Sequence, residues 1–402
     1  KLMDEWSKKD PIKNYQNFLL QEEVVDQRYL DETQESLKEL IDIKLADSYS
    51  RPSPVADSSD EISDIYALNA SQIHPSVSME VDALVETEEL RFVDAIRSGI
   101  DKAMGRNKNL ILMGQDIAEY GGVFKVTEGL HQKYGGARIR NTPLCESAIL
   151  GISLGLSIKG YKSIVEMQFA DFVSCGFNQI VNNLAKSHYR WGQQADVVIR
   201  MPTGAGVNAG PFHSQSNEAW FFHTPGLKIV YPSTPGDAFG LFLSAVEDPN
   251  PVLFFEHKAL YRSLTGPVPK DYHLLPIGKA TVREPGDSAT IITYGMGVIW
   301  AQQLLEQYPH LSVELVDLCS LQPWDRQAVA ESVKKTGKVL VLHEDNLTGG
   351  IGGEIASWIG ENCFEQLDAP VMRVGSLDTP VPFATPLEHN YLPIDRFKAK
   401  LF

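Results

Sequence analysis

Asn141-Thr-Pro-Leu-Cys-Glu146-Ser-Ala-Ile-Leu-Gly151-Ile-Ser-Leu-Gly155 is the stretch on which the reading of this 402-residue chain turns. A glutamate stands just after a proline-containing loop and opens a segment with the apolar spacing of a helix. Gly151 and Gly155 fall about one turn apart on that helix. Each costs roughly 1 kcal/mol of helix propensity relative to alanine, a penalty that makes sense where another backbone packs closely, as at an interface. A carboxylate at a helix start is favoured by the helix dipole whether or not it has a function. Taken alone, Glu146 is more simply explained as a plain capping group.

Outward from this stretch, short apolar runs alternate with helical patterns. Asn109–Met113, Ser163–Glu166, Asp196–Met201, Leu227–Tyr231 and Val252–Glu256 are the expected strands of one unit. Thr290–Tyr294, Ser312–Asp317, Val339–Glu344 and Val371–Val374 are those of a second, with helices expected near Val298–Gln307, Asp325–Thr336 and Gly352–Asn362. Strands separated by helices need crossover connections, so an α/β fold is expected, its parallel sheets covered by helices on both faces. Before them, residues 1–46 have helical spacing, with Asp10-Pro11 as a helix start and a helical hairpin as the coarse form. Residues 47–78, rich at first in Ser, Pro and Asp, read as a linker. The two α/β units are then expected at 79–265 and 266–402.

Composition narrows the partners. The chain is 43% hydrophobic and 22% charged, ordinary for a globular protein, and its net charge of -16 repels nucleic acid phosphates and anionic membranes. A basic protein module would be attracted. Cys145, Cys175, Cys319 and Cys363 form no CxxC pair, which argues against a zinc site and fits a reducing compartment. No apolar run reaches the roughly 18 residues of a membrane span.

The pattern Glu-x4-Gly-(apolar)-x-x-Gly, met by Glu146, Gly151, Ile152 and Gly155, resembles the signature of the pyrimidine-binding domain of thiamin-diphosphate enzymes. The resemblance then spreads. Gly114-Gln-Asp-Ile-Ala-Glu119, Val165-Glu-Met-Gln168-Phe-Ala-Asp-Phe172, Phe212-His213-Ser-Gln215, and His343-Glu344 followed by Thr348-Gly-Gly350 look like β-subunit motifs of the 2-oxo acid dehydrogenase decarboxylating component. The family implies a pyrimidine-binding domain followed by a transketolase C-terminal-type α/β domain.

It also implies roles. Glu146 would hydrogen-bond a ring nitrogen of the aminopyrimidine, Phe172 would lie on the ring face, and Leu144 and Gln168 would line its pocket. His213 would face the reaction centre and assist acyl transfer to a lipoyl arm, a task suited to a side chain with an ordinary pKa of about 6.5. Without the family, a loop histidine is usually a polar surface group; His188, His223 and His257 receive only structural or pocket-wall readings. A potassium ion is implied at Ala195, Val197, Ala245, Asp248 and Asn250. Magnesium, needed by the diphosphate, is expected on an α-type half, because this chain has no Gly-Asp-Gly followed by Asn.

The implied partners are that α-type half, a second β copy across a dimer interface, and a lipoyl acyltransferase core. Trp6 to Ile12 and Ser50-Arg-Pro-Ser-Pro54 look like the end of an α subunit, so an α–β fusion is expected, cytoplasmic in a bacterium or in the mitochondrial matrix of a eukaryote. Phe254-Phe-Glu-His-Lys258-Ala-Leu-Tyr261-Arg262 is closer to the branched-chain (2-oxoisovalerate) enzymes, although Phe172 stands where those often have Tyr. A pyruvate or acetoin enzyme, or a non-catalytic assembly subunit, is the alternative.

Overall fold

The computed structural model describes residues 1–68 and 85–401, and the chain divides into two compact units, Lys1–Ile62 and Ser63–Phe402. The expected boundary at 78/79 lies outside the described residues.

In the first unit helices span Leu2–Ser7, Pro11–Gln21 and Gln27–Ser50, three where a hairpin was expected. Asp10 caps the second, its carboxylate accepting from the amides of Ile12 and Lys13, with Pro11 at the first helical position. The third continues through Asp47–Ser50, so the change in composition at Asp47 does not end it. It stops where Arg51 precedes Pro52 and turns extended (φ -72°, ψ 142°), because proline's ring disfavours the helical conformation of the residue before it. None of these helices has a buried residue.

The second unit carries strands β1 (Thr87–Arg91), β2 (Leu110–Gly114), β3 (Ile139–Asn141), β4 (Lys162–Glu166), β5 (Val197–Thr203), β6 (Lys228–Val230), β7 (Val252–His257) and β8 (Thr265–Pro269). These are followed by β9 (Thr281–Glu284), β10 (Ala289–Thr293), β11 (Val313–Asp317), β12 (Ser320–Gln322), β13 (Val339–Asn346) and β14 (Met372–Ser376). One sheet has the order β12-β6-β7-β5-β4-β2-β3 and another the order β14-β13-β10-β11-β9; β1 and β8 pair by themselves. Val-, Ile- and Leu-rich runs such as Leu110–Gly114 are buried along their whole length, as strands covered on both faces must be.

Both sheets depart from the all-parallel expectation at one edge, where β12 runs antiparallel to β6 and β9 antiparallel to β11. β12 is only three residues long, too short to show a pattern, and it returns from the second sheet to complete the first.

The strand pairing places the loops. Gly114 pairs with both Asn141 and Glu166, Glu166 with Arg200, and Thr203 with His257, so the carboxyl ends of β2, β3, β4, β5 and β7 finish along one edge. Open α/β sheets bind ligands at that edge. Glu146, Phe172, His213 and Lys258 all follow these strand ends.

Three of the ends are tied by one buried charge. Arg200 of β5, with no solvent exposure, bonds Glu166 of β4 and makes a two-pronged contact with Glu256 of β7 at 2.7 Å on each oxygen. The Tyr261 hydroxyl donates to Glu256 Oε2 at 2.6 Å. Removing one partner from such a group leaves an uncompensated buried charge. Glu256→Ala is therefore expected to lower unfolding stability by about 3–5 kcal/mol in urea titrations; a loss within the range of surface substitutions would contradict this.

Candidate active site

Glu146 opens the helix Glu146–Ile158, and its side chain is only 7% exposed. Oε1 accepts from Gln115 Nε2 at 3.1 Å. Among the described residues nothing bonds Oε2, no amide of the first turn donates to the side chain, and no cation pairs with it. Capping, the bland alternative for this carboxylate, is thus not what the side chain does.

The neighbouring segment Ala170–Gly176 lies directly against the start of this helix. A Cβ on Gly176 would fall 2.3 Å from Leu150 Cδ1 and 3.4 Å from the Glu146 carbonyl oxygen, so any side chain there would have to displace Leu150. That packing sets Phe172 beside the helix. Phe169, Phe172 and His213 form an aromatic triangle, with ring centroids 5.6 Å (Phe169–Phe172), 4.7 Å (Phe169–His213) and 5.5 Å (Phe172–His213) apart. Phe172 and His213 are therefore brought together, and Phe169 joins them although the sequence reading had passed it over.

Gln168 and Leu144 are the other residues expected here. Gln168 reaches only Asp116, at 3.5 Å. Leu144 is 81% exposed. Among the described residues a Cβ on Gly155 would touch nothing within 4 Å, and one on Gly151 would first meet the Gln179 side chain at 3.6 Å. Their helix leaves Ile152 and Ile158 each 53% exposed on that side.

The loop carrying His213 is held by carboxylates from distant elements. Asp171 Oδ1 accepts from Gln215 N at 3.1 Å and Nε2 at 2.9 Å. Glu344 Oε1 accepts from Ala205 N at 2.6 Å and Ser216 Oγ at 3.2 Å, while Glu344 Oε2 meets His257 Nε2 at 2.6 Å. Glu388 takes the amides of Gly206 and Asn208. Gly204 sits at φ +94°, where a Cβ would strike His257 at 2.1 Å; only glycine serves. His257 thus has the structural role expected of it.

Beneath the loop, acids crowd together. Burial pushes Glu344 up, but the adjacent His257 ring and the Ala205 amide outweigh this and hold it below the usual carboxylate range. For Asp345 the balance goes the other way: burial, with the Glu344 charge adding to it, outweighs the Asn346 amide that donates to it and raises it to about 7. Burial likewise takes Glu218 to about 8, Asp345 adding to the shift, and Tyr294 donates to its Oε1 at 2.8 Å.

The potassium grouping is assembled in part. Ala195 N donates to Pro249 O at 3.2 Å, beside Asp248 and Asn250. Asp248 Oδ2 is taken by the buried Lys228 ammonium at 2.5 Å and its Oδ1 by Asn250 Nδ2 at 2.8 Å, while Asn250 Oδ1 accepts from Ala67 N at 2.8 Å. The Ala195 carbonyl accepts from Val197 N. With these oxygens bonded and the charge balanced by Lys228, the donor set as folded does not fit an added cation. Asp237, Asp317 and Cys319 are the one cluster of metal-ligating side chains among the described residues, and Arg283 already bonds both aspartates.

With this geometry in place, known proteins fix the family. The "Transketolase, pyrimidine binding domain" profile matches residues 88–263 and the "Transketolase, C-terminal domain" profile residues 278–396. The mitochondrial 2-oxoisovalerate dehydrogenase subunit beta of Dictyostelium discoideum is 44% identical over 322 residues, covering 79% of this chain and 86% of that protein. The chain belongs to the β subunits of the thiamin-diphosphate-dependent 2-oxo acid dehydrogenases. The Bacillus subtilis (strain 168) 2-oxoisovalerate dehydrogenase subunit beta is also 44% identical, over 75% of this chain and 94% of its own length. Pyruvate dehydrogenase β subunits are among this β subunit's other relatives. A solved structure titled "Split gene transketolase, inactive beta4 tetramer" shares the fold, with a TM-score of 0.61 at 23% identity over 77% of this chain and 96% of that one. Among the described residues of the β subunit, no helix is long and apolar enough to cross a membrane.

The acid cluster gives a pH test. A carboxyl group raised on folding favours the folded state fully below its ordinary value, 3.8 for Asp345, and loses that contribution as pH rises to about 7. Asp345→Asn is therefore expected to lose less melting temperature than the native chain across that interval. Parallel melting curves would show that Asp345 is not held protonated.

Proposed function

We propose that Glu146, Phe172 and His213 form the aminopyrimidine side of an active site that an α-type half completes, and that its substrate is a branched-chain 2-oxo acid. The observation that carries this is the Glu146 carboxylate, buried, with one oxygen held by Gln115 and the other without a partner among the described residues. Such an oxygen suits a donor that comes from outside the chain.

Thiamin diphosphate, when bound, supplies a thiazolium carbon nucleophile and an electron sink for decarboxylation. This chain's residues do the rest on their side. Gln115 fixes the carboxylate, and Glu146 Oε2 would be the atom to share a proton with a ring nitrogen of the aminopyrimidine, which would raise the basicity of its amine. Phe172 offers an apolar face, and the exposed Leu144 and the nearby Gln168 gain contacts that they lack in the isolated chain. His213, steadied by two aromatic rings, would give or take a proton during acyl transfer to a lipoyl arm.

Magnesium in this reading is held by the α-type half. Potassium is left out of it, because Asp248 and Asn250 are already engaged by Lys228 and Ala67. The open side of the helix carrying Gly151, Ile152, Gly155 and Ile158 suits contact with another subunit, whether the α-type half or a second β copy. The net charge of -16 favours encounter with a basic module of an acyltransferase core. The name of the Dictyostelium relative places that protein in mitochondria, and its 2-oxoisovalerate specificity, with the Lys258–Arg262 motif here, favours the branched-chain substrate over pyruvate.

The test is Glu146→Gln in the assembled enzyme. Decarboxylation of 3-methyl-2-oxobutanoate is expected to fall by about 10²–10⁴-fold, with co-elution of the two halves on gel filtration retained. Full activity would favour a non-catalytic assembly role for this chain. With native enzyme, kcat/KM for 3-methyl-2-oxobutanoate should exceed that for pyruvate at least tenfold; the reverse order would reassign the substrate.

A further inference from the structure

A cavity of about 410 Å³ opens beside the aromatic triangle, walled by Phe124, Val207 and Tyr261 and carrying two cations, Lys258 and Arg262. No carboxylate lines it, although the chain as a whole is strongly acidic. Lys258 is only 7% exposed, and its ammonium donates to the Gly204 carbonyl at 2.8 Å. Among the described residues no carboxylate lies within ion-pair distance of it. The acids whose charge it feels are Asp171, Glu344 and Glu388, and each is engaged with the amides of the His213 loop. Arg262 lies exposed in the short helix Leu260–Ser263, and no ion pair among the described residues involves it.

A buried ammonium with no carboxylate in contact is expensive, so a fold that keeps one against an open cavity has a reason for it. The cavity also adjoins the chemistry. Phe124 packs edge-on against Phe169 at 5.4 Å, Lys258 lies 5.8 Å from the centre of that same ring, and Phe169 touches His213. Burial brings Lys258 down to about 8, which leaves it a cation at neutral pH.

We propose that this cavity binds a small monocarboxylate with a branched apolar tail, the carboxylate meeting Lys258 at the base and Arg262 at the mouth, and the tail lying on Phe124 and Val207. Resting on the function proposed above, this makes the cavity a docking point for the 2-oxo acid next to the reaction site. The two cations select the acid; the apolar wall selects the tail. Neither residue takes part in bond making.

The experiment is calorimetric titration of the full chain, without the α-type half, with 4-methylpentanoate, which lacks the keto group and cannot react. Saturable binding is expected, with 4-methylpentanamide, acetate and inorganic phosphate each binding at least tenfold more weakly. Arg262→Gln should weaken 4-methylpentanoate at least fivefold. Lys258→Met, which keeps the length of the side chain, should abolish binding while circular dichroism shows an intact fold. Equal binding of the amide, or of phosphate, or undiminished binding by Arg262→Gln, would overturn the proposal. Because the readout is binding by this chain alone, it can fail while Glu146→Gln still abolishes decarboxylation, and the converse outcome would condemn the functional reading instead.

Discussion

One guanidinium holds the architecture of the site. Arg200 ties the carboxyl end of β5 to those of β4 and β7 through Glu166 and Glu256, entirely out of solvent. The segment bearing Phe172 leaves from β4, the His213 loop from β5 and Lys258 from β7. If the three ends slid relative to one another, the aromatic triangle and the cavity beside it would come apart together. A bidentate arginine suits this task better than a lysine, because its planar fork fixes direction as well as charge.

Around that clamp, the fold places its polar groups at some energetic cost. The loop of residues 204–216 has little apolar surface to bury and is held instead by Asp171, Glu344 and Glu388 acting on its amides. The consequence is a crowd of acids, among which Glu218 and Asp345 stay protonated toward neutral pH. Ordering the His213 loop and stabilising the folded chain therefore pull in different directions, as is common where geometry matters more than stability.

The strands were legible because long Val-, Ile- and Leu-rich runs between helical patterns admit few alternatives. Helices Met296–Gln307, Arg326–Thr336 and Gly352–Asn362 fall within two residues of their expected bounds. β12 was not legible, since three residues carry no periodicity and its partner in β6 lies some ninety residues earlier. The site divides in the same way. Glu146 stood out through its spacing to two glycines, and His213 and Phe172 through the motifs around them. Arg200, Asp171 and Glu388 gave no signal, because what defines each is a contact made only on folding; Ala205 and Glu344 are 139 residues apart. The open face of the Glu146 helix is the remaining mismatch, and a partner subunit is the physical reason offered for it.

The central claim is that Glu146, through the oxygen that no described residue bonds, would make the bound coenzyme a better base toward its own thiazolium carbon. Hydrogen–deuterium exchange at that carbon, followed by quenched NMR in the assembled enzyme without substrate, reads this step in isolation. The account predicts fast exchange in the native enzyme and exchange slowed by about 10²-fold or more when Glu146 is glutamine. Equal exchange in the two enzymes, with the coenzyme bound in both, would contradict it.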